Sequence, residues 1–464
     1  MFGKIKKIHF VGIGGIGMSG MADLLINLRF EVSGSDINTT DITNGLEAKG
    51  VQIFKGHSKD NIGEFDVVVY SSAVTLDNPE LVKAKESRIP IIRRAEMLGE
   101  LLKLKNKSIA IAGTHGKTTT TSMMGCVLTE AELDPTLIVG GIVKSLDVNA
   151  VLGTGEFIVA EADEFDKSFL QLQPTYSIIT NIDLDHLECY KNEDDLFNSF
   201  TSFANAVPFY GAVAACTDEP FVQGIVPNIS RPVISYGITN PADFSADNIQ
   251  FEGFLTEFEV YYKEKLLGNI QLQVPGNHNV KNALGVIALC HELEVGFESI
   301  QKGLLNFTGV RRRFEIKGTF NDILVIDDYA HHPTEISATL QAIKNGWKNP
   351  LVSVLQPHLY SRTRDFFEEF ARALLISETI VVTDVYPARE KPIEGITGKL
   401  IADAAKKLGH HKVFWIEDKN QIHNLLKEIV FPGDIIITMG AGDIWKICDQ
   451  YVEYLQQYHT TVKN

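Results

Sequence analysis

The segment GTHGKTTTT, residues 113–121, carries the residue types that phosphate chemistry needs, in the order it needs them. Gly113, Thr114, His115 and Gly116 form a short turn after the apolar run IAIAG, and Lys117, Thr118 and Thr119 open a predicted helix. In such a turn, loop amides and the lysine ammonium surround phosphate oxygens, and the hydroxyl after the lysine reaches a divalent cation. The longer phosphate-loop pattern would need glycine at Ile111, so this is the shorter G-x-x-G-K-T form. Two apolar runs further on, FIVAEAD (157–163) and YSIITNID (176–183), end in acids, supplying Glu161, Asp163 and, in NIDLDH, Asp185 and His186. A hard cation takes carboxylate oxygens and tolerates an imidazole. Each of these residues alone reads as a surface acid or a structural histidine, whereas three strand ends facing one edge favour a metal–phosphate site.

A second glycine loop lies at the start. GIGGIG satisfies G-x-G-x-x-G through Gly12, Gly14 and Gly17, with Gly15 between them, where a strand turns into a helix. Small residues permit the tight turn, and helix amides then face an anionic phosphate. Asp36 ends the next strand, where it could hold a ribose or a base; His57, Ser71, Ser72, Arg93 and Arg94 are candidate companions. The motif does not decide between a dinucleotide and another diphosphate nucleotide, and alone it would suggest an NAD-dependent dehydrogenase. That reading leaves GTHGKTTTT and the acids unexplained.

The elements that must position these groups alternate as strand and helix. KIHFVG, EVSGSD, FDVVVYSSAV and IPIIRRAEML make one doubly wound unit, and the polar link LKLKNKS (102–108) closes it. IAIAG opens a second unit, in which residues 230–275 alternate, are rich in Phe and Tyr, and predict antiparallel strands. A third unit starts at ILVIDDYAHHPTE and repeats strands at LVSVLQP, TIVVTDV and DIIITMG. The expected fold is therefore α/β in three domains: Rossmann-like over 1–105, a phosphate-loop ATPase type with an antiparallel region over 106–314, and Rossmann-like again over 315–464.

The chain has 464 residues, too many for one core, and a net charge of -16 that argues against nucleic acid as a partner. No run is long enough to span a membrane, and the glycine-broken start lacks a signal-peptide pattern. The five cysteines are scattered, without a C-x-x-C pair, and read as reduced thiols of a cytoplasmic protein. Monomer and homodimer both stay open.

GTHGKTTTT, EADEFDKSF, TNIDLDHLE, PGNHNVKNA, GVRRRFE, DDYAHHPTE and QPHLYSRT occur in one order, between VGIGGIGMSG and MGAGDIW. Together they resemble the Mur ligases over essentially the whole chain, and within that family the alanine-adding branch. The resemblance implies ATP-dependent amide formation between UDP-N-acetylmuramic acid and L-alanine through an acyl phosphate, in peptidoglycan precursor synthesis. A sister activity adds a recycled tripeptide to the same nucleotide sugar.

For individual residues the resemblance implies the following. Gly14 and Gly15 meet the UDP diphosphate and Asp36 the uridine side, with His57, Ser71, Ser72 and Arg94 also in the UDP-sugar site and His115 facing the sugar from the phosphate loop. Gly113 to Thr119 bind ATP, with Lys117 on its phosphates. Thr118 and Glu161 hold one Mg²⁺, and His186 a second. Asn279 and Asn282 contact adenine, and Arg313 and Asp328 contact ATP phosphate and ribose. Tyr329, His331 and Arg362 form the amino-acid pocket, where Arg362 suits the carboxylate and His331 could accept the amine's proton; His358 is left without a role. The arginines of 311–313 also fit a solvated charge run, and His331 with His332 a helix start. Related ligases carry a carbamylated lysine beyond the metal histidine; only Lys191 follows His186 closely here, as expected of the alanine branch. Asn277 stands where arginine is common. Groups from all three segments are needed, so domain closure over ATP is expected, with hinges near 105 and 315.

Overall fold

The structure, a computed structural model, describes residues 3–144, 148–184, 189–388 and 390–462. Asp185 and His186 lie outside the described residues. The chain divides into two compact units, one of Met1–Ile249, Phe258–Gln271 and Val280–Phe307, the other of Gln250–Glu257, Leu272–Asn279 and Thr308–Asn464.

In the first unit, a five-stranded sheet runs Gln52–Lys55, Glu31–Asp36, Lys7–Val11, Val67–Tyr70, Ile91–Arg93, all parallel. Ile8, Phe10 and Val11 of its central strand have no exposed surface, as a strand covered on both faces requires. Crossover connections put the carboxyl ends of these strands, and so the loops beyond them, at one edge.

A ten-stranded sheet follows, in the order Lys265–Leu272, Leu255–Tyr262, Phe244–Glu252, Val233–Gly237, Ala212–Cys216, Tyr176–Ile179, Lys107–Ala112, Phe157–Ala162, Thr136–Val143, Val148–Val151. Lys107–Ala112 lies between Tyr176–Ile179 and Phe157–Ala162, parallel to both. The three chain segments singled out as strand ends are thus neighbours in the sheet. The alternating, aromatic-rich region 230–275 forms four strands at one side of it, and the antiparallel expectation fails for the first, Val233–Gly237, which pairs parallel with both Ala212–Cys216 and Phe244–Glu252 and so extends the parallel part of the sheet.

The second unit holds a six-stranded sheet ordered Glu315–Phe320, Ile323–Asp328, Ile435–Met439, Leu351–Leu355, Thr379–Thr383, Val413–Ile416. Only the first pair is antiparallel. The buried runs LVSVL, TIVVT and IIITM fill its centre. Among the described residues, no helix is long and apolar enough to cross a membrane.

Candidate active site

The phosphate loop is shaped by two glycines in conformations that favour glycine, Gly113 at φ +142° and Gly116 at φ +82°. Gly116 precedes the helix Lys117–Glu130, whose first amides face whatever anion the loop holds. The next strand end fixes the loop: Asn181 Oδ1 accepts from His115 N at 2.7 Å, and Asn181 Nδ2 and Thr180 Oγ1 both donate to His115 O. Thr114 Oγ1 accepts from Asp183 N at 2.8 Å, and the His115 ring stands 3.4 Å from the Asp183 carboxylate.

Lys117 Nζ donates to Gly113 O at 2.6 Å, to Thr114 O at 3.1 Å and to Glu164 Oε2 at 2.6 Å. Burial alone would lower its pKa, but the carboxylates of Glu164 and Asp163 outweigh burial and raise it, so the ammonium stays charged. Thr118 Oγ1 donates to Glu161 Oε2 at 3.2 Å, while Glu161 Oε1 accepts from Gly140 N at 2.6 Å. A hydroxyl and an oriented carboxylate at this spacing are hard oxygen donors of the kind Mg²⁺ takes. Thr119 is half-buried in the first helical turn.

The first glycine loop gathers several of its expected companions. A Cβ at Gly14 would stand 2.8 Å from Asp36 Oδ2, one at Gly12 3.2 Å from Ser71 Cβ, and one at Gly17 2.8 Å from Arg94 Nη1. Gly15 precedes the helix Ile16–Asn27. Asp36 Oδ2 accepts from Gly14 N at 2.9 Å, so its carboxylate pins the loop. Arg94 pairs with Asp163 at 3.0 Å and Arg93 with Asp166 at 3.3 Å. Ser72, Arg93 and Arg94 line a cavity of about 340 Å³ with Tyr70, Phe165 and Lys167. His57 stands on a buried network: its Nδ1 lies 2.9 Å from Ser35 Oγ and 3.3 Å from Glu80 Oε2, and Glu80 is fully buried.

In the second unit, Tyr329, His331, His358 and Arg362 come together. The Tyr329 and His331 rings are 5.2 Å apart, those of His331 and His358 5.6 Å, and Arg362 Nη1 lies 3.5 Å from His358 Nδ1. Arg313 sits 4.9 Å from the Tyr329 ring centre and pairs with Glu335 at 3.3 Å. Burial pushes the His331 imidazole down to about 3 despite Glu335. A ring so reluctant to be charged is neutral near neutral pH, with a lone pair on one of its nitrogens. Asp328 is buried, and burial raises it to about 6. Its oxygens accept from Phe314 N, Ala330 N and Thr339 Oγ1. Asn279 Nδ2 donates to Pro275 O at 2.8 Å, while in the first unit Asn282 Oδ1 would lie 2.7 Å from a Cβ at Gly116.

Sequence reasoning missed Glu164, Asn181, Glu80 and Glu335. Glu164 ends the EADE run from which Glu161 and Asp163 were chosen, and Asn181 precedes the acids of NIDLDH; both signals were visible. Glu80 and Glu335 carry none beyond the helix starts they occupy.

Comparison with known proteins gives a consistent result. The Mur ligase family catalytic domain matches residues 7–106, the Mur ligase middle domain 111–290, and the Mur ligase glutamate ligase domain 312–442. The UDP-N-acetylmuramate–L-alanine ligase of Geotalea uraniireducens is 52% identical over 98% of this chain and 99% of its own. That of Geobacter sulfurreducens is 48% identical over 98% and 99%. The crystal structure of the UDP-N-acetylmuramate–alanine ligase of Thermotoga maritima superposes with a TM-score of 0.84 at 34% identity, covering 97% and 99%. A murein peptide ligase from Psychrobacter arcticus superposes at 0.71 and 25%, covering 97% and 98%. Domain matches in chain order and full-length relatives at this identity allow one assignment: the chain belongs to the Mur ligase family.

Proposed function

We propose that this protein is an ATP-dependent ligase that joins L-alanine to the lactoyl carboxylate of UDP-N-acetylmuramic acid, through an acyl phosphate. The observation that carries the reading is the identity of 52% with a full-length ligase of that name, over a chain whose phosphate loop keeps a half-buried, charged lysine. The tripeptide-adding alternative has weaker support, since the murein peptide ligase is 25% identical against 34% for the alanine ligase of known structure. Cytoplasmic location belongs to the same proposal, as five cysteines without a disulfide suit a reducing compartment. So do the domain bounds 1–105, 106–314 and 315–464.

The chemistry follows from charge. A carboxylate is a poor acylating agent because oxide would have to leave; transfer of the γ-phosphoryl group of ATP creates a good leaving group. The carboxylate and the triphosphate repel, by roughly 4 kcal/mol for unit charges 4 Å apart at an effective dielectric of 20. Lys117 offsets that repulsion at the loop, and the amides around Gly116 and Thr118 hold the phosphate oxygens. Thr118 and Glu161 would hold one Mg²⁺, and His186 a second; when bound, Mg²⁺ neutralises charge on the transferring oxygens. The amine of alanine then attacks the acyl carbon, and phosphate departs.

Substrate binding is assigned by unit. Gly14, Gly15, Asp36, His57, Ser71, Ser72, Arg94 and His115 serve the nucleotide sugar. Gly113 to Thr119 and Asn282 serve ATP in the first unit, and Asn279, Arg313 and Asp328 in the second; Asp328 reaches the ribose by exchanging one of its present bonds. Arg362 takes the alanine carboxylate, and Tyr329 and His331 orient the amine.

Product analysis with UDP-N-acetylmuramic acid, ATP and Mg²⁺, offering L-alanine and the tripeptide in parallel, tests the reading. The alanine adduct is expected to form much the faster. Preferential formation of the tripeptide adduct would transfer the assignment to the sister activity.

A further inference from the structure

Glu335 stands in the first turn of the helix Pro333–Gly346, and its carboxylate is 11% exposed. One oxygen, Oε1, meets Arg313 Nη1 at 3.3 Å. The other, Oε2, accepts from His331 N at 3.0 Å and His332 N at 3.3 Å, and lies 3.2 Å from His331 Nδ1. We infer that Glu335 is a positioning residue that ties the guanidinium of Arg313 to the imidazole of His331, setting the place of the first and the tautomer of the second. The inference rests on the proposed reading, in which Arg313 meets the ATP phosphates and His331 the substrate amine.

The tautomer follows from hydrogen-bonding capacity. His331 Nδ1 faces two groups, the Tyr329 carbonyl at 3.0 Å and the Glu335 carboxylate at 3.2 Å. Neither a carbonyl nor a carboxylate has a proton to donate, so the ring proton sits on Nδ1 and Nε2 keeps its lone pair. A bare Nε2 accepts an N–H from an amine or ammonium group and turns away a carboxylate. This sorts the two ends of an amino acid between His331 and the cation of Arg362. Arg313 is held from two sides, by Glu335 and by the face of Tyr329 at 4.9 Å. One carboxylate therefore serves a group assigned to each of two substrates, and losing it should disturb both while leaving the nucleotide sugar alone.

Glu335→Gln tests this in the full-length protein. A carboxamide can accept on one side only, and it presents N–H groups to the other donors. The expected result is a KM for L-alanine raised about tenfold and a KM for ATP raised severalfold, with that for UDP-N-acetylmuramic acid unchanged. Unchanged KM values for alanine and ATP, or equal rises for all three substrates, would overturn it. Arg313→Ala and His331→Ala, measured alongside, separate the causes: if they leave both KM values alone, the residue assignments fail, whatever Glu335 does. Should Glu335→Gln fail to fold, ¹⁵N NMR of the His331 ring in the unaltered protein decides: a protonated Nδ1 is expected, and a protonated Nε2 contradicts the inference.

Discussion

The Lys117 ammonium lies 2.6 Å from the Glu164 carboxylate, with the two side chains 15% and 2% exposed. The lysine's three protons meet three acceptors: Glu164, Gly113 O and Thr114 O. A triphosphate entering the loop must take over part of this set, so the lysine is held charged and ready for an anion.

Lys117→Ala should lower turnover by about 10³-fold or more, since it removes a preorganised cation from the transferring phosphate. It should also destabilise the protein by about 3–5 kcal/mol, because Glu164 would be left buried without its cation. Adding Glu164→Gln should restore much of the melting temperature but none of the turnover. Calorimetry and phosphate release check both halves; a single variant that melts like the parent would show the pair to be unimportant for stability.

Thr118 and Glu161 are assigned to one cation. Thr118→Val and Glu161→Gln should each move the Mg²⁺ midpoint of phosphate release about tenfold or more upward. His186→Ala should weaken metal dependence as well. Unchanged titrations would remove these residues from the metal site.

Gly116 adopts φ +82°, and a Cβ there would stand 2.7 Å from Asn282 Oδ1. Gly116→Ala should cost about 1 kcal/mol of stability through backbone strain. It should raise the KM for ATP by displacing Asn282 and distorting the loop. An unaltered KM would sever Asn282 from the nucleotide.

The pH dependence has a definite sign. His331 is lowered to about 3, below its ordinary 6.5, so its contribution to stability is present above 6.5 and is lost as pH falls towards 3. Asp328 is raised from 3.8 to about 6; its contribution is present below 3.8 and is lost as pH rises through 6. The two oppose each other between pH 4 and 6. Urea unfolding at pH 7 and pH 5 should therefore show His331→Gln losing less stability on acidification than the parent.

The strands, glycine loops and acid-bearing strand ends were legible because each is local: apolar runs, turns and spacing are written along the chain. Lys107–Ala112, Phe157–Ala162 and Tyr176–Ile179 proved to be adjacent, as convergent strand ends require. Orientation was not legible. The place of Asp36 at the end of its strand is legible in the sequence, but its carboxylate turns to Gly14 N, a bond between residues that sequence spacing does not rank. Glu80 and Glu335 act through partners from other segments, His57 and Arg313 among them, and no local pattern marks such pairs. The pKa of His331 depends on burial, which its neighbours in sequence do not disclose.

The central claim is that ATP phosphorylates the sugar-borne carboxylate before the amine attacks. It is tested most directly with UDP-N-acetylmuramic acid labelled by ¹⁸O in the lactoyl carboxylate, turned over with ATP, Mg²⁺ and L-alanine. The account predicts that each phosphate released carries one oxygen from that carboxylate. Amide product accompanied by phosphate free of the label would contradict it.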